Sequence, residues 1–153
     1  MIRNSPTLVD NLIKQNQDLE TIQSELDVYV EEKRKVFPRF YFLSFEDLIQ
    51  ILSNSENKDV ISLHLKTLFD GIVALEFKDE NITKMFSKEK EVVELSKPVK
   101  TTRQPVEVWL LNLTEGMKET VYRKLKEGYK VYSDDTRKDW VLQQPGQVVA
   151  SVA

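Results

Sequence analysis

The chain has 153 residues, of which 41% are hydrophobic and 31% charged, with a formal net charge of −3 at pH 7. This length and composition are typical of one globular domain with a solvated surface of mixed charge. The acidic balance argues against a nucleic-acid binder, and the absence of cysteine excludes disulfides, thiolate chemistry and cysteine-based metal sites. No run approaches about eighteen apolar residues and no secretory signal opens the chain, so we expect a soluble, intracellular protein without a membrane partner.

Residues 6–36 have the pattern of a long amphipathic helix. Polar residues surround an apolar stripe at three-four spacing, which is interrupted by Gln15 and Lys33. Because these interruptions leave no three or four unbroken heptads, the pattern favours a bundle helix with a solvated outer face over a coiled coil. The stripe consists of Leu12, Leu19, Ile22, Leu26, Tyr29 and Val36.

A cluster of aromatic residues follows this helix. Pro38 is expected to end the helix, because its ring clashes with the preceding turn and it has no N–H to donate. Ser44 is expected to begin the next helix, since Ser44 and Asp47 have the spacing of a capping box. The segment therefore predicts a rigid structural corner, pinned by aromatic rings, between two helices. This corner consists of Phe37, Pro38, Phe40, Tyr41, Phe42 and Ser44.

Two short helices and a small sheet are predicted next. The helices span about residues 45–52 and 58–69, and Gly71 suits the left-handed position that ends the second. Alternating apolar and polar residues then predict three antiparallel strands joined by polar turns, a β meander over residues 73–99 that ends near Pro98. Three such strands need a helix to cover their apolar face.

The last third of the chain is predicted to be helical. After a linker-like stretch at 100–105, a second long helix is predicted over about 105–129, with Gly128 as its cap. Ser133, followed by Asp134 and Asp135, predicts the start of a further helix that Pro145 ends. The chain closes on small apolar residues, like a helix cut short, so we expect a fragment of a larger protein.

The predicted fold class is mostly α. Two long and several short helices form a helical bundle, with a small three-stranded antiparallel β meander inserted. We interpret residues 1–153 as a single unit with four successive parts. These are the long helix 6–36, the corner and two short helices 37–72, the meander 73–99, and the long helix with a truncated helical end 105–153.

The residue types and their spacing predict no catalytic, cofactor-binding or metal site. His64 is the only histidine, and it lies on a short amphipathic helix without the carboxylate arrangement of a triad. The few glycines form no phosphate-binding motif. The basic run 33–35, with Arg39 beside aromatics, is directly preceded by Glu31 and Glu32, so a nucleic-acid site is disfavoured. The residues alone predict a helix-rich structural or interaction module that is not an enzyme.

Several motifs, taken in order, resemble the linker region of dynein heavy chains. The corner at 37–44 followed by 48–53 is the first, and residues 64–72 resemble the family's HLK-x-x-F-x-G-I segment. Residues 106–110 resemble its V-E-x-W-L, 117–120 its M-x-x-T, and 140–147 its W-x-x-x-x-P-G-Q. The resemblance covers roughly residues 10–153, the central to C-terminal part of the linker. Gln144 stands where the family usually has a tryptophan, and the chain stops before the linker would reach the first ATPase module.

This resemblance implies a mechanical function. The linker is a helix-bundle lever that lies across the ring of ATPase modules and swings with nucleotide state, driving a minus-end-directed microtubule motor. The implied partners are the ATPase ring of the same heavy chain and the other dynein subunits, in the cytoplasm and cytoskeleton, with a lean toward the ciliary axoneme. The parent motor would use ATP and Mg²⁺, whereas this segment would bind no cofactor. The charged turns of the meander are candidate docking turns on the ring, formed by Lys78, Asp79, Glu80, Lys88, Glu89 and Lys90.

A second interpretation comes from the helix pattern alone. In this alternative, the protein is a stand-alone helical scaffold that binds a partner helix through the stripe of residues 6–36.

Overall fold

The structure is a computed structural model that describes residues 6–132 and 136–152. In this part of the chain it contains six α-helices, three β-strands and one 3₁₀ turn, Pro38–Phe42. The helices are α1 Pro6–Val36, α2 Phe45–Ser53, α3 Lys58–Leu68, α4 Val106–Val131, α5 Arg137–Gln143 and α6 Gly146–Val152. The strands are β1 Ala74–Lys78, β2 Asn81–Phe86 and β3 Val92–Lys100. The predicted fold class, mostly α with a small antiparallel sheet, is confirmed.

Helix α1 has the predicted bounds but not the predicted burial. Leu12, Leu19 and Ile22 are 55%, 63% and 58% exposed, and every side chain from residue 7 to 25 is exposed. The helix enters the core only near its C-terminal end, where Leu26 is half-buried and Val30 is buried. The expectation that only its outer face is solvated is wrong for residues 7–25, because none of their side chains is buried against the rest of the described chain.

The sheet is an antiparallel meander in the order β1-β2-β3. Ile82 and Met85 of β2 are both buried although they are three residues apart, a spacing that strict alternation would place on opposite faces. The pairing of β2 with β3 shifts register between Ile82 and Lys84, and such a bulge restores both side chains to the core face. The bulge therefore decides which residues of β2 reach the core.

Strand β3 continues beyond Pro98, which was predicted to mark its end, as far as Lys100. Strand β3 is an edge strand, so one of its two sides has no neighbouring strand. A proline is tolerated there because no strand on that side needs the N–H that proline lacks. The following stretch, predicted to be linker-like, is held by hydrogen bonds from the backbone N–H and side-chain hydroxyl of Thr101 to the Glu80 carbonyl, both at 2.9 Å.

Helix α4 covers the sheet, as the exposed apolar face of three strands required. Leu110 and Leu113 are fully buried against the central core. Thr120 is also buried, and its hydroxyl oxygen accepts a hydrogen bond from the Ser96 N–H of β3 at 2.9 Å. One apolar cluster therefore joins the corner, α2, α3, the sheet and α4.

Neither of the two glycines predicted as helix caps acts as one. Helix α3 ends through Phe69 in an extended conformation, and Gly71 does not adopt a positive φ, so the predicted left-handed cap is wrong. Gly128 lies inside α4, which continues to Val131. A Cβ at Gly128 would lie 2.8 Å from Val148 Cγ1, so the absence of a side chain permits the close approach of α6.

The helix start predicted at Ser133, Asp134 and Asp135 lies outside the described residues. Helix α5 begins at Arg137, and Thr136 caps it by accepting a hydrogen bond from the Asp139 N–H. Trp140 is buried on this helix, and its indole N–H donates to the Gly128 carbonyl at 2.7 Å. Pro145 separates α5 from α6, as predicted.

Candidate functional site: the aromatic corner and its surroundings

The corner after α1 is built on a period of three residues. Phe37, Phe40 and Leu43 are buried, because side chains at i and i+3 eclipse one another in a 3₁₀ turn and therefore share one face. The Phe37 and Phe40 ring centroids lie 5.0 Å apart at an interplanar angle of 86°, an edge-to-face pair. The Phe69 ring at the end of α3 lies 6.3 Å from that of Phe37. Pro38 begins the turn, where its fixed φ is suited to the first helical position.

Tyr41 and Phe42 lie outside this packed face. Their side chains are 54% and 64% exposed, so these two rings do not hold the corner by being buried. The Tyr41 hydroxyl donates a hydrogen bond to the Glu31 carboxylate, which raises the pKa of Tyr41. The Arg34 guanidinium lies 5.4 Å from the centre of the same ring. Tyr41 therefore ties the 3₁₀ turn back to the last turns of α1.

Two polar side chains connect the corner to the short helices. The Ser44 side-chain oxygen accepts a hydrogen bond from the Asp47 N–H at 3.1 Å and so caps α2, as the sequence predicted. Arg39 donates to the Leu68 carbonyl at 2.8 Å, at the end of α3, and its guanidinium lies 5.0 Å from the centre of the Phe69 ring. Arg39 thus acts as a structural bridge from the corner to α3.

A charged pair that sequence reasoning did not single out joins the two long helices. Lys33 Nζ of α1 donates to Glu107 Oε1 of α4 at 2.7 Å, and only 4% of Glu107 is exposed. This hydrogen bond raises the pKa of Lys33, and the charge of Glu107 adds to the effect. The sequence feature that could have indicated this pair is Glu107, which lies among the apolar residues at the start of a helix. A carboxylate buried there needs a cationic partner.

The first predicted docking turn, Lys78, Asp79 and Glu80, is exposed but firmly held. Asp79 adopts a positive φ of 55°, as a tight hairpin turn requires. Its carbonyl accepts a hydrogen bond from Lys58 Nζ of α3 at 2.7 Å. The Glu80 carboxylate accepts from the Thr102 hydroxyl at 2.7 Å. Contacts from both α3 and the connection to α4 therefore fix the shape of this turn.

The second predicted docking turn, Lys88, Glu89 and Lys90, is also exposed and lies at the other end of β2. Lys90 adopts a positive φ of 66°, and the Ser87 side-chain oxygen accepts hydrogen bonds from the N–H groups of Glu89 and Glu91. Because β2 has six residues, the two turns stand roughly 17 Å apart at opposite ends of the sheet. The fold does not bring them together into one surface.

A cavity of about 450 Å³ lies between the sheet, α4 and α6, and the sequence did not indicate it. Met85, Met117 and Val121 are among its apolar lining residues. At its rim, the Glu91 carboxylate accepts a hydrogen bond from the Gly146 N–H at 2.8 Å and so links the second turn to α6.

The single histidine and three basic residues near the corner are largely buried or have partners within the described chain. The side chain of His64 is largely buried, with Nδ1 4.0 Å from Asp47 Oδ1. Among residues 6–132 and 136–152, no three His, Cys, Asp or Glu side chains are grouped to hold a metal ion. No helix in that part of the chain is long and apolar enough to cross a bilayer. Of the basic residues considered for nucleic-acid binding, Lys33, Arg34 and Arg39 all face partners within the chain.

The fold and the corner define a helical module whose buried polar groups join helices to one another. Residues 1–128 match the protein family described as "Dynein heavy chain, N-terminal region 2", and the chain belongs to this family. It is 40% identical over 152 residues to dynein axonemal heavy chain 3 of Mus musculus, covering 97% of this chain and 4% of that protein. It is 39% identical over 142 residues to mouse dynein axonemal heavy chain 1, and 38% identical over 149 residues to human dynein axonemal heavy chain 12. These alignments cover 92% and 95% of this chain, which spans only 3% and 5% of those two relatives.

Proposed function

We propose that this chain is a segment of the linker of a dynein heavy chain of the axonemal type. Its function is that of a lever, which docks on the ATPase ring of the same heavy chain and transmits the conformational change of that ring. Its partners are that ring and the other dynein subunits, and its location is the cytoskeleton of the ciliary axoneme. The parent motor uses ATP and Mg²⁺, while this segment binds no cofactor and catalyses no reaction.

The observation that carries the proposal is the packed joint between α1 and the rest of the described chain. A lever transmits force only if the joints within it do not yield. On one side of the joint, the rings of Phe37 and Phe40 pack against each other in the core. On the other side, the hydrogen bond between Lys33 and Glu107 connects α1 to α4. Family membership supplies the motor context for such a joint.

The lever function is tested in a complete motor that carries this segment. Phe40→Ala should lower microtubule gliding velocity while ATP turnover is retained, since a softened joint loses displacement rather than chemistry. Phe42→Ala, at an exposed ring of the same turn, is the matched control and should leave velocity unchanged. Equal velocities for the two variants would contradict the lever proposal.

Docking by the sheet turns is tested in the same motor. Exchanging the charges of the second turn, with Lys88→Glu and Glu89→Lys, should change velocity or ATPase coupling if that turn contacts the ring. Both side chains are exposed, so the exchange should leave the fold of the segment intact. Unchanged values would remove this turn from the mechanism.

The alternative is a stand-alone scaffold that binds a partner helix. The reading frame of the gene after Ala153 distinguishes it from the motor segment. A reading frame that continues past Ala153 into a strand, a phosphate-binding loop and a helix supports the motor. A stop codon at that position supports the scaffold.

A further inference from the structure

The first half of α1 presents an apolar stripe that nothing in the described chain covers. Leu8, Leu12, Leu19 and Ile22, here called the α1 stripe, lie on one side of the helix, and each is about half exposed or more. Residues 7–25 are exposed over roughly 27 Å of helix length. Because a helix in water owes most of its stability to packing of its apolar face, this length of α1 is suited to a partner.

Acidic residues flank the α1 stripe on both edges. Asp18 and Glu25 lie along one edge, and Glu20 and Asp27 along the other. All four are exposed, and none of them forms an ion pair with another described residue. The one basic residue between positions 7 and 30 is Lys14, which lies four positions before Asp18 and therefore on the same edge as Asp18 and Glu25. The surface around the stripe therefore has a net negative charge, since these four acidic residues outnumber the single lysine.

The acidic edges determine which kind of helix can pack on the α1 stripe. A second copy of α1 would place acidic edges against acidic edges, and like charges at such an interface are repulsive. A helix with Lys or Arg beside its own apolar stripe would bury the leucines and neutralise both edges. We infer that the α1 stripe binds a basic amphipathic helix, supplied by a polypeptide segment outside residues 1–153. The inference stands apart from the lever function, since it follows from the exposure and charge of α1 alone.

The test is a titration of the 153-residue chain with two synthetic helical peptides. Both carry leucines at three-four spacing over about three heptads, and one has Lys at the flanking positions where the other has Glu. Anisotropy of a labelled peptide should report binding of the Lys peptide that weakens as salt increases, with the Glu peptide at least about tenfold weaker. Sedimentation of the chain alone should report a monomer.

Variants of α1 locate the binding face. Leu19→Asp should weaken binding of the Lys peptide by about tenfold or more, because it places a charge in the apolar contact. Asp18→Lys should weaken the Lys peptide and strengthen the Glu peptide, each by several-fold. Asp10→Lys, the same substitution on the opposite face, is the matched control and should change neither affinity.

Helical content by circular dichroism should be retained in all three variants, since each position is exposed. The inference is overturned if the Lys peptide fails to bind, or if both peptides bind equally. It is also overturned if Asp10→Lys acts like Asp18→Lys, or if the chain dimerises through the stripe.

Discussion

Single side chains at the corner differ sharply in what they contribute. Within five consecutive residues the 3₁₀ turn buries Phe40 completely and leaves Tyr41 and Phe42 in solvent. Phe40 and Phe42 have the same side chain, so the difference in their burial comes from the period of the turn rather than from the residue type.

Phe40→Ala should lower the free energy of unfolding by about 3–5 kcal/mol, because it removes a buried ring and leaves a cavity. Urea denaturation of the isolated chain measures the change. Phe42→Ala is the matched control and should cost less than about 0.5 kcal/mol, since its ring is already exposed. A loss below about 0.5 kcal/mol for Phe40→Ala would show that the corner does not depend on this ring.

Lys33→Met should lower the free energy of unfolding by about 2–3 kcal/mol, because it leaves the Glu107 carboxylate buried without its cation. Adding Glu107→Leu should recover most of that loss, since no buried charge remains. Lys97→Met is the control, because the Lys97–Glu119 pair is exposed and should be worth less than about 1 kcal/mol. Additive losses in the double variant would contradict coupling between Lys33 and Glu107.

At the scale of elements, the contact between α4 and α6 depends on the missing side chain of Gly128. Gly128→Ala should destabilise the chain, although Ala is the better helix former by about 1 kcal/mol. The added Cβ would lie 2.8 Å from Val148 Cγ1, so the Val148 side chain or the helix that carries it would have to shift. Thermal unfolding measures the effect, and the double variant with Val148→Ala should recover part of it.

Gly71→Ala is the matched control for this contact. A Cβ at Gly71 would meet no atom within 4 Å, and its φ is not positive, so the substitution should be neutral within about 0.5 kcal/mol. A stabilising Gly128→Ala would mean that helix propensity outweighs the contact with α6.

Helix α1 contributes unevenly along its length to the stability of the chain. Removing residues 1–24 should change the free energy of unfolding by less than about 1 kcal/mol, because the side chains of residues 7–25 are exposed. The helical signal in circular dichroism should fall with the residues removed. Removing the chain through Val30 as well should be far more costly, since Val30 is buried in the core.

At the scale of the whole molecule, two hydrogen bonds that join α1 to other elements make stability sensitive to alkaline pH. The pKa of Lys33 is raised from its ordinary 10.5 by the hydrogen bond to Glu107, and that of Tyr41 from 10.0 by its bond to Glu31. Both groups therefore contribute stability below their ordinary values, and the contribution is lost as pH rises through the higher folded-state pKa. The free energy of unfolding should fall above about pH 10, and less steeply in Lys33→Met. Equal slopes for the two chains would contradict a role for Lys33.

The sequence by itself determined the features that depend on neighbouring residues. Pro38 and Pro145 end helices because a proline lacks the N–H that the next helical turn requires, and the Ser44 cap needs only the N–H of Asp47. Hydrophobic period separated helix from strand, which gave the bounds of α1 and the order of the meander. The ordered motifs indicated the family by the same local information.

Only the tertiary structure decided which of these elements meet. Lys33 and Glu107 are 74 positions apart, and no local pattern pairs them. Gly128 was predicted to cap a helix because it is a glycine near the helix end. In the structure its missing side chain instead allows Val148 of α6 to pack close to α4. The apolar stripe of α1 can be read from the sequence, yet the pattern carries no information about whether a partner is present. Periodicity reports that a face can be buried, whereas burial itself depends on the three-dimensional position of other parts of the chain.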